Sequence, residues 1–291
     1  MTQAIRNGLA TPLGAGARKP SARARLLAQT ALTCALASLI TFSPAAIDRA
    51  AAQSTWNNTP AGAWGAAAEW TPATVPNAVD ASARFNATAG VSLGVDLTGG
   101  PFTVGLLSLK NAVAGGFGFQ QGTIVMSSAT TARINVETSN IIADIFNGGA
   151  LNLASNTVVQ TVGSATFTVE GAITGVGGLT KTGDGVMTIS APASYSGATR
   201  VVSGRLVADG ADAFSVFSAL SVDASGTVDL GGANQAVGSL RGTAGAVVTT
   251  SGAPATLRVG SDGTNGNFAG SLQDGAGGLA LGLTKVGNST L

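Results

Sequence analysis

The chain has 291 residues, of which 10% are charged, 5% are aromatic and 42 are glycine. This mix excludes a Leu- and Phe-rich globular core and equally a highly charged disordered chain. It leaves an all-β architecture with many turns and a narrow core of small and β-branched side chains. Histidine is absent, which excludes His-dependent nucleophile–base pairs and His metal sites.

Residues 1–52 read as a secretory signal peptide. Arg6, Arg18, Lys19, Arg23 and Arg25 make a basic start, and Leu26 to Phe42 is an uncharged, largely apolar run. Ala50-Ala51-Ala52 supplies small residues for cleavage before Gln53. Pro44-Ala45-Ala46 is an alternative site, and a membrane anchor is the competing reading of the same run. Threonines and a serine dilute it, and it is short for a span. Cys34 lies inside it, so the chain after cleavage has no cysteine and no disulfide framework. Charge also divides there. Residues 1–52 carry six basic groups and one acid, and the remainder carries nine basic and thirteen acidic groups. No basic patch is left after the cut, so nucleic acid is not an expected partner.

Residues 53–114 are expected to form an N-terminal cap and the first rungs of a coil. They hold all three tryptophans, Trp56, Trp64 and Trp70, followed by Val75-Pro76-Asn77 and Ala83-Arg84-Phe85. Large aromatics can close the open end of a stacked β-coil, which otherwise exposes strand edges and core. The sharper reading makes the same three tryptophans a sugar-binding platform, and they are the weak ligand-binding candidates of this chain. Strands are expected at Val91 to Leu93, Phe102 to Val104 and Leu106 to Leu109. Gly115-Gly116-Phe117-Gly118-Phe119 reads as a turn with exposed or stacked phenylalanines.

Residues 115–291 show short strand candidates every eight to twelve residues, each bounded by Gly, Asn, Asp or Ser. They run from Ile124 to Met126, Ala132 to Val136, Ile141 to Ile145, Ala150 to Leu153, Thr157 to Val162, Ala165 to Val169 and Ala172-Ile173. The stretch 177–210 then packs four strands close together: Gly178 to Lys181, Val186 to Ser190, Thr199 to Val202 and Arg205 to Ala208. Gly183-Asp184-Gly185 and Ser203-Gly204 turn between them, since glycine reaches positive φ cheaply. No strand is expected to exceed about six residues, so each can form only part of one rung of a stacked coil. Further strands are expected at Ala219 to Val222, Thr227 to Leu230, Val237 to Leu240, Ala246 to Thr249 and Thr256 to Val259. A helical turn is conceivable only over Asp212 to Leu220. A second Leu-Thr-Lys begins at Leu283, within 277–291, and the sequence stops soon after.

The segments Gly178 to Lys181, Gly183-Asp184-Gly185, Val186 to Ile189, Ser194-Tyr195-Ser196-Gly197 and Gly204-Arg205-Leu206 resemble the autotransporter-associated β-strand repeat. Val186 and Met187 stand where that pattern has Thr and Leu. Gln235 to Leu240 resembles another recurrent passenger segment. The resemblance implies a bacterial secreted or surface-displayed passenger domain and a right-handed, single-stranded parallel β-helix. It implies no activity, because the repeat is structural. It also implies an outer-membrane translocator barrel that this chain does not contain; if the chain is complete, it is expected to stay in the periplasm.

No Gly-x-Ser-x-Gly nucleophile motif and no Asp-rich calcium repeat occurs. Asp184 and Asp262 sit in single Asp-Gly turns. Asp223 and Asp229 are the nearest thing to an acid pair and read as solvated edge residues. The expectation is therefore an all-β, right-handed parallel β-helix with an N-terminal cap, with about ten rungs at roughly 20–25 residues each. No catalytic, metal or cofactor site is assigned. The expected role is a stalk or adhesin with an unnamed host-surface or glycan ligand. The alternative is a carbohydrate-active β-helix enzyme, a polysaccharide lyase or hydrolase. In the core, Met187, Ile189, Val201 and Leu206 should point inward, and Lys181 and Arg205 should keep their head groups in water.

Overall fold

The computed structural model describes residues 53–87, 92–111, 116–138, 141–146 and 148–291. The expected signal segment lies outside them. Among the described residues the only helix is a single 3-10 turn, Ala67–Glu69. The rest is a parallel β-solenoid.

Ten strands stack on the first face: Gln53–Trp56, Ser82–Ala87, Leu106–Asn111, Ala132–Val136, Thr157–Thr161, Leu179–Thr182, the first half of Thr199–Ala208, the first half of Leu220–Asp229, Leu240–Gly242 and Asn267–Phe268. The eight interior ones are paired on both edges, always in parallel. Partners lie between 20 and 29 residues apart in sequence, as in Leu179↔Thr199 and Ser54↔Ala83. A second face repeats the pattern, for example Phe117↔Ala143, Ala143↔Phe167 and Phe167↔Met187. The third face is interrupted. Phe102–Val104, Thr123–Met126, Ala150–Leu153 and Ile173–Gly175 form one sheet, and Gln235–Val237, Ala255–Val259 and Leu281–Lys285 form another. Among the described strands one pair is antiparallel: the short strand Trp70–Thr71 lies against the first strand through Thr55↔Thr71 and Trp56↔Trp70.

The alternation in sequence explains the core. Along Val186–Ile189 the odd positions face in, and Met187 and Ile189 are fully buried, as are Val201 and Leu206. In-register stacking puts like positions above one another, so the interior is a column of Leu, Ile, Val, Phe and Ala shared by all rungs.

Several expectations are corrected. Gly116–Gln120 is a strand, and Phe117 and Phe119 point into the core. Its alternating glycines lie on the outer face, where a small residue leaves the pleat undisturbed. Thr199 to Ala208 is one ten-residue strand, and so is Leu220 to Asp229. The corner between two faces is turned inside a continuous ladder: the register shifts between Val201 and Ser203, and pairing resumes at Ser203↔Ser225. Asp212 to Leu220 makes turns and bends and then enters the strand, with no helix.

Candidate functional site

The three tryptophans form a closed aromatic cluster. Trp56 and Trp70 pack edge to face with centroids 5.0 Å apart, Trp64 and Trp70 with centroids 5.1 Å apart. Phe85, Phe102 and Phe119 extend the cluster into the next rungs. Each indole N–H donates to a nearby carbonyl: Trp56 to Thr59, Trp64 to Pro76 at 3.1 Å and Trp70 to Trp64 at 2.8 Å. All three side chains are at most 1% exposed. That overturns the sugar platform at Trp56, Trp64 and Trp70, because a stacking platform needs an exposed ring face.

Lys181 is also buried, contrary to the expectation of a wet head group. Its position faces inward, between Val159 on one rung and Val201 on the next. The aliphatic stem fills the core column and the ammonium reaches the corner. There it donates to the carbonyls of Thr182 and Gly183, both at 2.8 Å, and of Ser203 at 3.2 Å. Thr182 and Ser203 are strand residues at the corner, and Gly183 opens the turn after Thr182. Burial lowers the ammonium to about 8, opposed by the Asp184 carboxylate. Gly183 and Gly204 make the cage possible. Both have positive φ, and a Cβ on Gly204 would lie 2.7 Å from the Lys181 Nζ. The second Leu-Thr-Lys repeats the geometry: Lys285 donates to the carbonyls of Val286 and Gly287.

Tyr195 is the second polar group that sequence reasoning did not place. It is fully buried, and its hydroxyl lies 2.6 Å from that of Thr199, which lies 2.7 Å from that of Ser218 on the next rung. Burial raises the phenol to about 12, against the hydrogen bonds of Thr199 and Ser218. The Ser-Tyr-Ser-Gly segment is therefore a polar staple inside the core.

Asp223 and Asp229 do not converge on a cleft. Asp223 pairs with the exposed Arg200 at 2.6 Å. Asp229 is buried, which corrects its reading as a solvated edge residue. Its carboxylate accepts from Arg205, from Ser251 Oγ at 2.7 Å and from the Gly231 N–H at 3.0 Å. Burial alone would raise it, but these donors outweigh that and hold it below the usual carboxylate range. Arg205 itself remains 43% exposed. At the Asp-Gly turn of Asp262, one carboxylate oxygen accepts from both the N–H and the hydroxyl of Thr264 at 2.8 Å. Asp96 does the same with Thr98. Both are Asx-type turns closed by their own side chains. Among the described residues no group of three or more His, Cys, Asp or Glu gathers as a metal set.

No family model matches the chain, and no solved structure matches it. One curated protein is similar. It is the adhesin BmaC autotransporter of Brucella suis biovar 1 (strain 1330), 32% identical over 90 residues. The match covers 31% of this chain and 3% of that protein, so the chain spans only a small part of its relative's length. This distant similarity and the β-solenoid are together compatible with an autotransporter passenger. The polar groups described above serve the solenoid itself: they satisfy corners, cross-rung gaps and buried hydroxyls.

Proposed function

We propose that this chain is part of an autotransporter passenger: an exported β-solenoid displayed at the bacterial surface, acting as a stalk or adhesin without catalysis. The observation that carries the reading is the coincidence of a parallel β-solenoid with similarity to an autotransporter adhesin. The Leu-Thr-Lys-x-Gly cages at Lys181 and Lys285 support it, since the same local geometry recurs where the sequence resembles the passenger repeat. In this reading residues 1–52 are the export signal, 53–114 close one end, and 115–291 form the shaft. Display would require an outer-membrane translocator as partner, and the adhesive target would be a host-surface or glycan ligand.

Protease added to intact cells expressing the natural gene tests it. Digestion of the protein with the outer membrane sealed is the expected result. Protection until that membrane is opened would overturn surface display. Mass spectrometry of the exported material should give Gln53 as its first residue; retention of the intact 1–52 segment would favour an anchor.

A further inference from the structure

A second interrupted sheet lies on the third face, and its outer surface is hollow. The hollow follows from which side chains the register aligns. Arg258 stands between Ala236 on one rung and Thr284 on the other, and Thr256 stands beside Gly282. Two small residues thus flank Arg258 and Thr256, and an open surface hollow of about 400 Å³ lies between Asp212, Asn234, Ala236, Thr256, Arg258 and Thr284. That is the size of a site for one small organic ligand.

Its floor is fixed. Gln235 is 2% exposed and donates from its amide to the Gly210 carbonyl at 2.7 Å, while its side-chain oxygen accepts from the Phe214 N–H at 3.1 Å. Asn234 accepts from the Thr256 N–H at 2.8 Å, which orients its amide and leaves the NH2 group for another partner.

Arg258 is the cation of this hollow. Arg200 and Arg205, on the outer surface of other strands, each pair with an aspartate on the following rung. Arg241 donates to the Asn265 carbonyl. Among the described residues Arg258 has no side-chain hydrogen-bond or ion-pair partner, a state it shares with Arg133, and Asp212 at the rim lies beyond ion-pair distance from it. A guanidinium presents a planar fork that matches a carboxylate bidentately. Here that fork is surrounded by two threonine hydroxyls, a free amide and an aspartate able to accept from a hydroxyl.

We propose that this hollow binds a sugar acid: a ligand carboxylate on Arg258, with ring hydroxyls met by Asn234, Thr256, Thr284 and Asp212. The site does not depend on surface display. Calorimetric titration of the chain with glucuronate, glucose and acetate tests it, with Arg258→Gln and Ala236→Leu as variants. Both positions face outward, and unchanged melting curves verify that the variants fold. Saturable glucuronate binding is expected, at least tenfold tighter than glucose or acetate, and weakened at least tenfold by either substitution. Equal affinity for glucose would remove the role of the carboxylate, and equal affinity for acetate would remove that of the hydroxyls. Unchanged binding in Arg258→Gln, or no saturation by glucuronate up to about 10 mM, would also overturn the proposal.

Discussion

The Lys181 ammonium reaches the carbonyl of Ser203 at 3.2 Å, across the gap between one rung and the next. With the Thr182 and Gly183 carbonyls, both at 2.8 Å, it gathers three backbone acceptors at one corner. Lys181→Met keeps the stem and removes the donors. It should cost about 3 kcal/mol, the scale of losing hydrogen bonds from a charged donor. A urea midpoint equal to the parent's would refute the cage. The pH dependence has a definite sign. The folded-state ammonium titrates near 8 and the unfolded one near 10.5, so between these values the unfolded chain binds more protons. Stability from this group is present above 10.5 and is lost as pH falls through 8. The parent should therefore gain stability relative to Lys181→Met as pH is raised across that window.

Gly204→Ala should be far more damaging than Gly263→Ala, although the two backbones are alike, with φ of +72° and +71°. At Gly263 a Cβ meets nothing within 4 Å; at Gly204 it would come within 2.3 Å of the Gly183 carbonyl oxygen. Gly263→Ala should lose roughly 1 kcal/mol for conformation alone and Gly204→Ala several times that. Equal melting temperatures would show that the close approach is relieved without cost.

Tyr195 is the chain's single tyrosine, so its phenolate absorbance can be followed without interference. It should titrate near 12, not near the ordinary 10. The raised value means its contribution to stability is intact below pH 10 and is lost as pH rises toward 12. Tyr195→Phe should remove that alkaline limb and cost about 1 kcal/mol. A phenolate appearing at pH 10 in the folded protein would contradict the buried staple.

Asp229 should shape the acid limb. Its depressed value places its stabilisation above the ordinary 3.8, with loss as pH falls through the lower folded value. Asp229→Asn should cost about 2 kcal/mol at neutral pH, the scale of a buried charged hydrogen-bond acceptor, and should flatten the acid transition. Parallel pH–stability curves for the two proteins would exclude the Arg205–Asp229–Ser251 link as their source.

Ile189→Asp should abolish cooperative unfolding. Ile189 is fully buried, stacked between Val169 and Ala208 in a column with no partner for a carboxylate. A sharp transition near the parent's temperature would mean that the core admits water there.

The strands and their inward faces were legible because alternation is a local signal. Ala132 to Val136 and Ala150 to Leu153 match the structure at both ends, and Phe102 to Val104 does too. What was not legible depends on the neighbouring rung. Nothing near Lys181 in sequence shows that its head meets Ser203, and nothing near Asp229 announces Arg205 and Ser251. Gly116–Gln120 was misread for a different reason: glycine is the strongest turn signal, and here it marks the outer positions of a strand whose phenylalanines face in. The hollow at Arg258 likewise appears only when Ala236 and Gly282 are set in register beside it.

The aromatic cluster bears on how the protein would respond to mechanical load. Tension along the stacking direction acts on the hydrogen-bonded ladders rung by rung, so most of the shaft would peel in small steps, each at modest force. The tryptophan end differs, because Trp64 touches rings from Phe102 and Phe119 on later rungs and ties them together. Several turns must release at once there. A tether pulled from that end would meet a knot of interlocked rings before any single rung could come free.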